Sequence, residues 1–241
     1  SLALIEAADS PQAPTGFDQR KLALAQGSLQ VLTNLAVLPN LQTKPTAITG
    51  IHVSRVGDFG RVLLQASDYG HQAFGGVVLA QDLGYALAKR VQELPDIQRI
   101  CPARVNAFEP NAAGARLGVC TADSEFKLQA RLVVAADGSA SFLRQAAGIG
   151  VQTHDYQQTL FVCSLQAEQA AAGLAYERFS ESGPLALLPM SEGRFGNICA
   201  VKSADADAVA GLSDQDYLAY LQSRFGWRVG KFLQAGARTR Y

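Results

Sequence analysis

The hydrophobic positions of this chain follow two rhythms, and the change from one to the other recurs several times. Residues 2–5 form a short apolar run closed by Glu6, which suits a strand buried on both faces in a parallel sheet. Asp9, Ser10, Pro11 and Pro14 then predict a loop. Leu24, Leu29, Val31, Leu32 and Leu35 recur at helical spacing, predicting a helix over residues 22–37 that Pro39 stops. Alternation replaces that period over residues 46–66, where Ile48, Ile51 and Val53 precede, and Val62, Leu63 and Leu64 follow, a turn at residues 57–60; this is the pattern of a β-hairpin. The helical period returns over residues 81–94 through Leu83, Leu87 and Val91 and ends at Pro95, with a strand expected at 99–101.

Short strands at 103–108, 115–121 and 125–130, joined by turns bearing Asn, Gly and Asp, predict an antiparallel meander. Residues 131–136 read as a continuous apolar strand cut off by Asp137-Gly138, with a Ser-initiated helix expected over 139–147. Beyond Gly150, strands at 159–166, 175–179, 185–189 and 197–202 predict an antiparallel sheet, and Ser213, with Asp216 three residues on, caps a last helix running to Phe225. Strand–helix units around residues 2–6 and 131–147 imply a doubly wound layer, whereas the other segments supply antiparallel strands. The expected fold is therefore α/β: a partial Rossmann-like nucleotide-binding domain over residues 1–44 and 79–150, interleaved with an antiparallel β-sheet domain of residues 45–78 and 151–241.

Composition narrows the possible functions. With 48% hydrophobic and 17% charged residues among 241, the chain has the make-up of a folded globular protein. Its formal net charge is zero and no run of Lys or Arg occurs, which argues against nucleic acid as a partner. Cys101, Cys120, Cys163 and Cys199 are widely spaced and read as buried reduced thiols; His52, His71 and His154 form no triad or metal pattern. No segment reaches the ~18–20 apolar residues that span a bilayer, and no charged leader precedes the first apolar run, so a cytoplasmic protein is expected. The start inside a strand pattern, without a Met, is read as a cut end.

Glu6 ends a strand where, in a dinucleotide-binding unit, a carboxylate accepts hydrogen bonds from the adenosine ribose; an ordinary strand-end surface charge is the competing reading. Asp137-Gly138 combines close backbone approach with a following helix N-terminus, and Ser141 and Arg144 follow it within VVAADGSASFLRQAAG. Together LIEA, GFDQRKLAL and VVAADGSASFLR resemble the FAD-dependent aromatic-ring hydroxylases. YERFSESGPLALLPMSEGR and FGWRVGK narrow the resemblance to the hydroxylases of ubiquinone biosynthesis, of the 2-polyprenyl-6-methoxyphenol hydroxylase type, and it extends over nearly the whole chain. It implies FAD as cofactor, with Glu6 at the ribose, Arg20 near the pyrophosphate, and Asp137, Gly138, Ser141 and Arg144 in the Asp-Gly motif. Gln81 stands beside Ala80, where members often carry a polar cofactor contact, and can take that part. Neither the family's Gly-rich turn nor its later flavin-covering segment is found between Ser1 and Tyr241, so this stretch alone is expected to be truncated at both ends, inactive and free of FAD.

The resemblance further implies that NAD(P)H or another donor reduces the flavin and that one oxygen atom of O2 passes to an activated phenol. The flavin supplies that chemistry, so no Ser, Cys or His nucleophile is required. Phe179, Leu185, Leu187, Leu188, Pro189 and Trp227 are candidates for an apolar substrate slot, with sheet core the alternative for each. Arg178 and Arg194 flank that stretch and read as solvated strand-end charges, leaving no fixed partner for a substrate carboxylate; a polyprenyl phenol is therefore expected. Its tail implies peripheral contact with the inner membrane, and its pathway implies a possible ubiquinone-biosynthesis complex. Two other readings are a reductase or halogenase on the same scaffold, although Trp227 is the only tryptophan, and a flavin-free accessory subunit.

Overall fold

A computed structural model describes residues 1–8 and 20–241; the loop expected around Pro11 and Pro14, and Gly16 to Gln19 of the GFDQRKLAL segment, lie outside the described residues. In chain order the elements are β1 (Leu2–Ile5), β2 (Lys21–Ala25), α1 (Gln26–Asn34), β3 (Thr46–Ile48), β4 (Gly50–Arg55), β5 (Val62–Gln65), β6 (Gly75–Leu79) and α2 (Ala80–Gln92). There follow β7 (Ile97–Ile100), β8 (Arg104–Asn111), β9 (Gly114–Cys120), β10 (Glu125–Ala130), α3 (Phe142–Ala146), β11 (Gln158–Ala167), β12 (Leu174–Phe179) and β13 (Leu185–Pro189). The chain ends with β14 (Phe195–Lys202), α4 (Ala206–Ala210), α5 (Asp214–Phe225), β15 (Phe232–Ala235) and β16 (Thr239–Arg240). By contact these residues divide into two compact units, one of residues 1–8 and 88–154, the other of 20–87 and 155–241.

In the first unit β1 and β7 pair in parallel, Leu2 beside Ile97 and Ile5 beside Ile100, while β8, β9 and β10 form the antiparallel meander. Ala103, Leu117, Val119 and Leu143 make its buried core, onto which Ile5, Ile100, Phe108 and Val133 pack. α3 joins that core through Leu143. The strand expected at 131–136 is not formed: among the described residues no neighbour pairs with it, and Leu132 and Val134 are exposed. An apolar run becomes a strand only when a ladder accepts its backbone groups, so composition alone misleads here. The following helix is also shorter than expected, because Ser141 rather than Ser139 caps it.

The second unit is built on an eight-stranded sheet in the order β15-β11-β14-β13-β12-β4-β5, with β16 pairing β11. All its pairs are antiparallel except β12 with β4, which run parallel. Tyr217, Leu221 and Phe225, four residues apart on α5, share one helix face and are fully buried against Phe161, Leu165, Leu187 and Phe195 of the sheet. Ser213 caps α5 as expected, its hydroxyl accepting from the Asp216 amide.

A second, three-stranded sheet has the order β2-β6-β3. Here the helix expected over 22–37 is corrected: residues 21–25 are a strand and α1 begins only at Gln26. Leu24 and Leu29 fit a helical period by coincidence of spacing, but β6 offers a ladder from Lys21 beside Leu79 to Ala25 beside Gly75, and tertiary pairing overrides the local preference. Gly75 makes that approach possible, since a Cβ there would lie 2.0 Å from the Leu24 carbonyl oxygen. The uniform burial expected of the thiols also needs correction: Cys163 and Cys199 are buried, but Cys120 is exposed and Cys101 only partly covered.

Gly173 turns the chain into β12 with φ of 78°, and a Cβ there would meet the Thr49 hydroxyl at 2.6 Å. Gly173→Ala is expected to destabilise the protein by about 1–3 kcal/mol through left-handed strain and that collision. Denaturant unfolding followed by circular dichroism measures it; a loss below a few tenths of a kcal/mol would show that the junction relaxes freely.

Candidate functional site

The Asp-Gly motif is organised by local hydrogen bonds. Asp137 Oδ1 accepts from the Ser141 hydroxyl and Oδ2 from the Leu143 amide at 3.2 Å, while Ser141 Oγ accepts from the Arg144 amide at 2.9 Å. The carboxylate thus ties the turn to the first turn of α3, and the serine caps it. The Ser141 hydroxyl is the main reason that the Asp137 carboxyl sits below the usual carboxylate range; desolvation opposes it and the Leu143 amide assists. Gly138 adopts φ of 85°, and no atom lies within 4 Å of where a Cβ would stand, so its backbone faces open space. The Arg144 guanidinium donates to the Ser139 carbonyl at 2.8 Å, while its buried Nε has no partner. These four residues are therefore one physical cluster.

Glu6, in the same unit, continues the β1 ladder: its amide donates to the Ile100 carbonyl at 3.0 Å and its carbonyl accepts from Ala103 at 2.8 Å. Its Oε1 accepts from the Ala8 amide at 2.9 Å, which turns the side chain back onto its own loop and leaves the rest of the carboxylate exposed.

Arg20 and Gln81 both belong to the other unit. The Arg20 carbonyl accepts from the Ala80 amide at 2.9 Å, which places it beside the start of α2. Its guanidinium stands over the Tyr241 ring, 5.5 Å from the centroid. Gln81 Oε1 is buried and has no hydrogen-bond partner. The adjacent Asp82 accepts from the amides of Gln42 and Thr43 at 2.8 and 3.0 Å, fixing the approach of the loop before β3 to the start of α2.

Strand alternation sends the Lys21 side chain away from Arg20 and onto β14, where a Cβ on Gly196 would lie 2.7 Å from its Cγ. Lys21 is 6% exposed and its Nζ has no hydrogen-bond partner. Burial lowers its pKa, the neighbouring Arg194 adds to the effect and Cys163 opposes it. Sequence reasoning passed over this residue. A lysine one place after a candidate cofactor ligand carries no signal of burial until β2 is known to be a strand.

Of the candidate slot residues, Leu185 and Leu187 lie in the core beneath α5, and Pro189 is buried at the end of the same strand. Leu188 points to the opposite face and packs with Ile48, Val77 and Ala175. Glu177, opposite Ala186, shares that second face; desolvation raises its carboxyl pKa. Phe179 is exposed at the end of β12, beside Arg55. Trp227 is exposed as well and lies apart from the other candidates, lining a cavity with His52 and Arg61.

A family model described as an FAD binding domain matches residues 4–231. The chain belongs to this FAD-binding family. Among its relatives, the ubiquinone hydroxylase UbiL of Rhodospirillum rubrum is 31% identical over 94% of this chain and 52% of its own length. The mitochondrial ubiquinone biosynthesis monooxygenase COQ6 of Mus musculus is 28% identical over 58% of the chain and 29% of its own length. The chain thus spans about half the length of the first of these relatives. Crystal structures of a mutant of PqsL from P. aeruginosa and of the p-nitrophenol 4-monooxygenase PnpA from Pseudomonas putida superpose with TM-scores of 0.75 and 0.72. Their identities are 15% and 11%, over 92% and 99% of this chain and 60% of each of theirs. The architecture is accordingly that of the aromatic hydroxylase flavoproteins, an α/β fold with several antiparallel sheets.

For this FAD-binding family member, Lys21→Met is expected to raise stability by about 1–3 kcal/mol, the usual cost of a buried polar group without a partner. The sign follows from linkage. The folded state binds this proton more weakly than the unfolded state, so wild-type stability rises with pH between the lowered folded pKa and the ordinary lysine value of 10.5. The variant should lose that alkaline rise. Denaturation midpoints across that range test this, and an unchanged slope would show that Lys21 is solvated.

Proposed function

We propose that the full-length protein carrying this chain is an FAD-dependent monooxygenase that hydroxylates the aromatic ring of a polyprenyl phenol in ubiquinone biosynthesis. The observation that carries this reading is the 31% identity with a ubiquinone hydroxylase along 94% of the chain. FAD, once bound, supplies the activation of O2, with NAD(P)H the proposed electron donor. Residues 1–44 and 79–150 are assigned to the cofactor domain and residues 45–78 and 151–241 to the substrate domain.

The residues present suit FAD. The Asp137 carboxylate is held ionised and keeps acceptor capacity beyond its bonds to Ser141 and Leu143, which fits ribityl or phosphate-proximal hydroxyls. Gly138 leaves its backbone open to a close ligand. Arg144 Nε and Gln81 Oε1, each buried without a partner in its own unit, retain one donor and one acceptor for a bound group. Arg20 brings a guanidinium suited to pyrophosphate, and Glu6 an exposed carboxylate suited to ribose. Ser141 acts on Asp137 rather than on the cofactor: it orients the carboxylate and keeps it charged.

The substrate class follows from what the second unit provides. The sheet face bearing Leu188 is apolar around Ala175 and Ile48. An apolar phenol suits this face better than a short acid. A substrate with a long prenyl tail dissolves in lipid, so we place the enzyme at the periphery of the inner membrane, consistent with its having no helix, among the described residues, long and apolar enough to cross one.

In the full-length protein, Asp137→Ala and Arg20→Ala are each expected to weaken FAD binding roughly 10- to 100-fold, as loss of a hydrogen bond to a charged group costs ~1.5–3 kcal/mol. Flavin absorbance per protein after gel filtration, with circular dichroism as the check on folding, reports this; full occupancy in both variants would remove them from the site. The function itself is tested by comparing kcat/KM on a prenylphenol and on 4-hydroxybenzoate. The prenylphenol should be preferred, and faster turnover of the acid would overturn the assignment.

A further inference from the structure

The eight-stranded sheet carries a second concentration of functional groups at its β4–β5 end. His52 of β4 lies beside Tyr176 of β12, with ring centroids 5.4 Å apart. It is only 8% exposed, yet its buried Nδ1 has no hydrogen-bond partner. It lines a cavity of about 580 Å3 together with Phe59, Gly60, Arg61, Trp227 and Arg228. No carboxylate is among those lining residues, and among the described residues neither Arg61 nor Arg228 forms an ion pair. The one acidic residue of the hairpin tip, Asp58, faces Arg55 at 4.0 Å. Arg228 is braced from within, donating to the Phe225 carbonyl and lying over its ring.

The rim of this cationic cavity is apolar. Phe59 is fully exposed at the tip, Trp227 is 69% exposed, and Val56, Val62 and Leu63 of the same hairpin are exposed too. The whole chain has zero net charge, so the unneutralised cations here are a local feature and not a general excess. Arginines without an acid, beside a buried imidazole with a free nitrogen, match the donor chemistry of a phosphate group. Exposed Trp and Phe rings beside such cations match the boundary between headgroups and acyl chains, where an aromatic body enters lipid while the cations stay with the headgroups.

We propose that the cavity bounded by His52, Arg61, Trp227 and Arg228 is a headgroup site for an anionic phospholipid, and that the β4–β5 hairpin tip with Trp227 is the surface through which the protein rests on a membrane. The inference deepens the peripheral placement proposed above and rests on that reading only for why a membrane is approached; binding to lipid stands independently of the hydroxylation.

The test uses the full-length holoprotein and two kinds of vesicle, phosphatidylcholine alone and phosphatidylcholine mixed with phosphatidylglycerol. Co-sedimentation should occur with the mixed vesicles and be at least about tenfold weaker with the neutral ones, given ~1 kcal/mol per cation near an anionic surface. Arg61→Glu and Phe59→Ser should each reduce pelleting with mixed vesicles toward the neutral background. The fluorescence difference between wild type and Trp227→Phe should shift to the blue on those vesicles. Equal binding to both vesicle types, no binding to either, or wild-type pelleting by both variants would overturn the proposal. A fluorescence change with glycerol 3-phosphate but no pelleting would overturn it too, in favour of a soluble phosphate ester. Turnover of a short-chain prenylphenol without vesicles separates the two readings. Arg61→Glu and Phe59→Ser should leave that turnover unchanged, whereas its absence in wild type, with lipid binding intact, would count against the hydroxylase reading alone.

Discussion

Six residues of β4 lie parallel to six of β12, from Gly50 beside Leu174 to Arg55 beside Phe179, and the larger unit depends on this pairing. It is the one parallel contact in an otherwise antiparallel sheet, and it joins segments distant in sequence. Packing is close at its start: a Cβ on Gly50 would displace the ends of the Gln65 and Leu174 side chains, each 2.8 Å away, and would lie 3.3 Å from the Leu64 carbonyl oxygen. The Thr49 amide donates to the Gly173 carbonyl at 2.8 Å, and at the far end Arg178 donates to the Ser54 hydroxyl at 3.2 Å and to the Arg224 carbonyl at 2.9 Å. Without this joint β4 and β5 would be an isolated two-stranded ribbon, which is marginal in water. With it, the hairpin holds His52 against Tyr176.

Much of this was legible in the sequence, and where it was not the reason is physical. The hairpin, formed by residues 50–65 because 46–48 pair instead with β6, the meander and the helix capped by Ser213 depend on local period, turn residues and capping, all written in adjacent positions. The Asp-Gly motif was legible as a cluster, and the structure explains the spacing of its residues: Asp137, Ser141 and Arg144 sit where a carboxylate and a hydroxyl can tie down the start of α3. The strand at residues 21–25 and the missing strand at 131–136 failed in opposite ways for the same cause, the presence or absence of a partner strand remote in sequence. The parallel β4–β12 pair, the burial of Lys21 and the cavity at His52 were beyond reach because each depends on the register between such remote strands.

The sheet core beneath α5 contains polar atoms that are almost fully accounted for. Asn197 is completely buried; its Oδ1 accepts from the Tyr217 hydroxyl at 3.4 Å and from the Cys163 thiol at 3.8 Å, and its Nδ2 donates to the Ala186 carbonyl at 3.3 Å. Burial pushes both Cys163 and Cys199 up to about 11 and raises Tyr217 further, so all three stay protonated and neutral around the amide. A satisfied network of this kind favours the observed seating of α5 on the sheet, since a shift would take the buried Tyr217 hydroxyl away from its Asn197 acceptor. The contrast with Lys21 Nζ and His52 Nδ1 is informative: one buried polar set is closed on itself, whereas those two nitrogens remain open.

The remote joint also sets a timetable for synthesis. Ser54 and Arg178 are 124 residues apart, so on a ribosome adding ~5–20 residues per second the first half of the pair waits roughly 6–25 seconds for the second to be made. Through that interval the hairpin, with Phe59 and its neighbouring valines, has only its own two strands to pair with and no sheet to join. A nascent chain in that condition is a natural client for a chaperone, and its yield should depend more on the pace of elongation and on chaperone supply than on the stability of the finished fold.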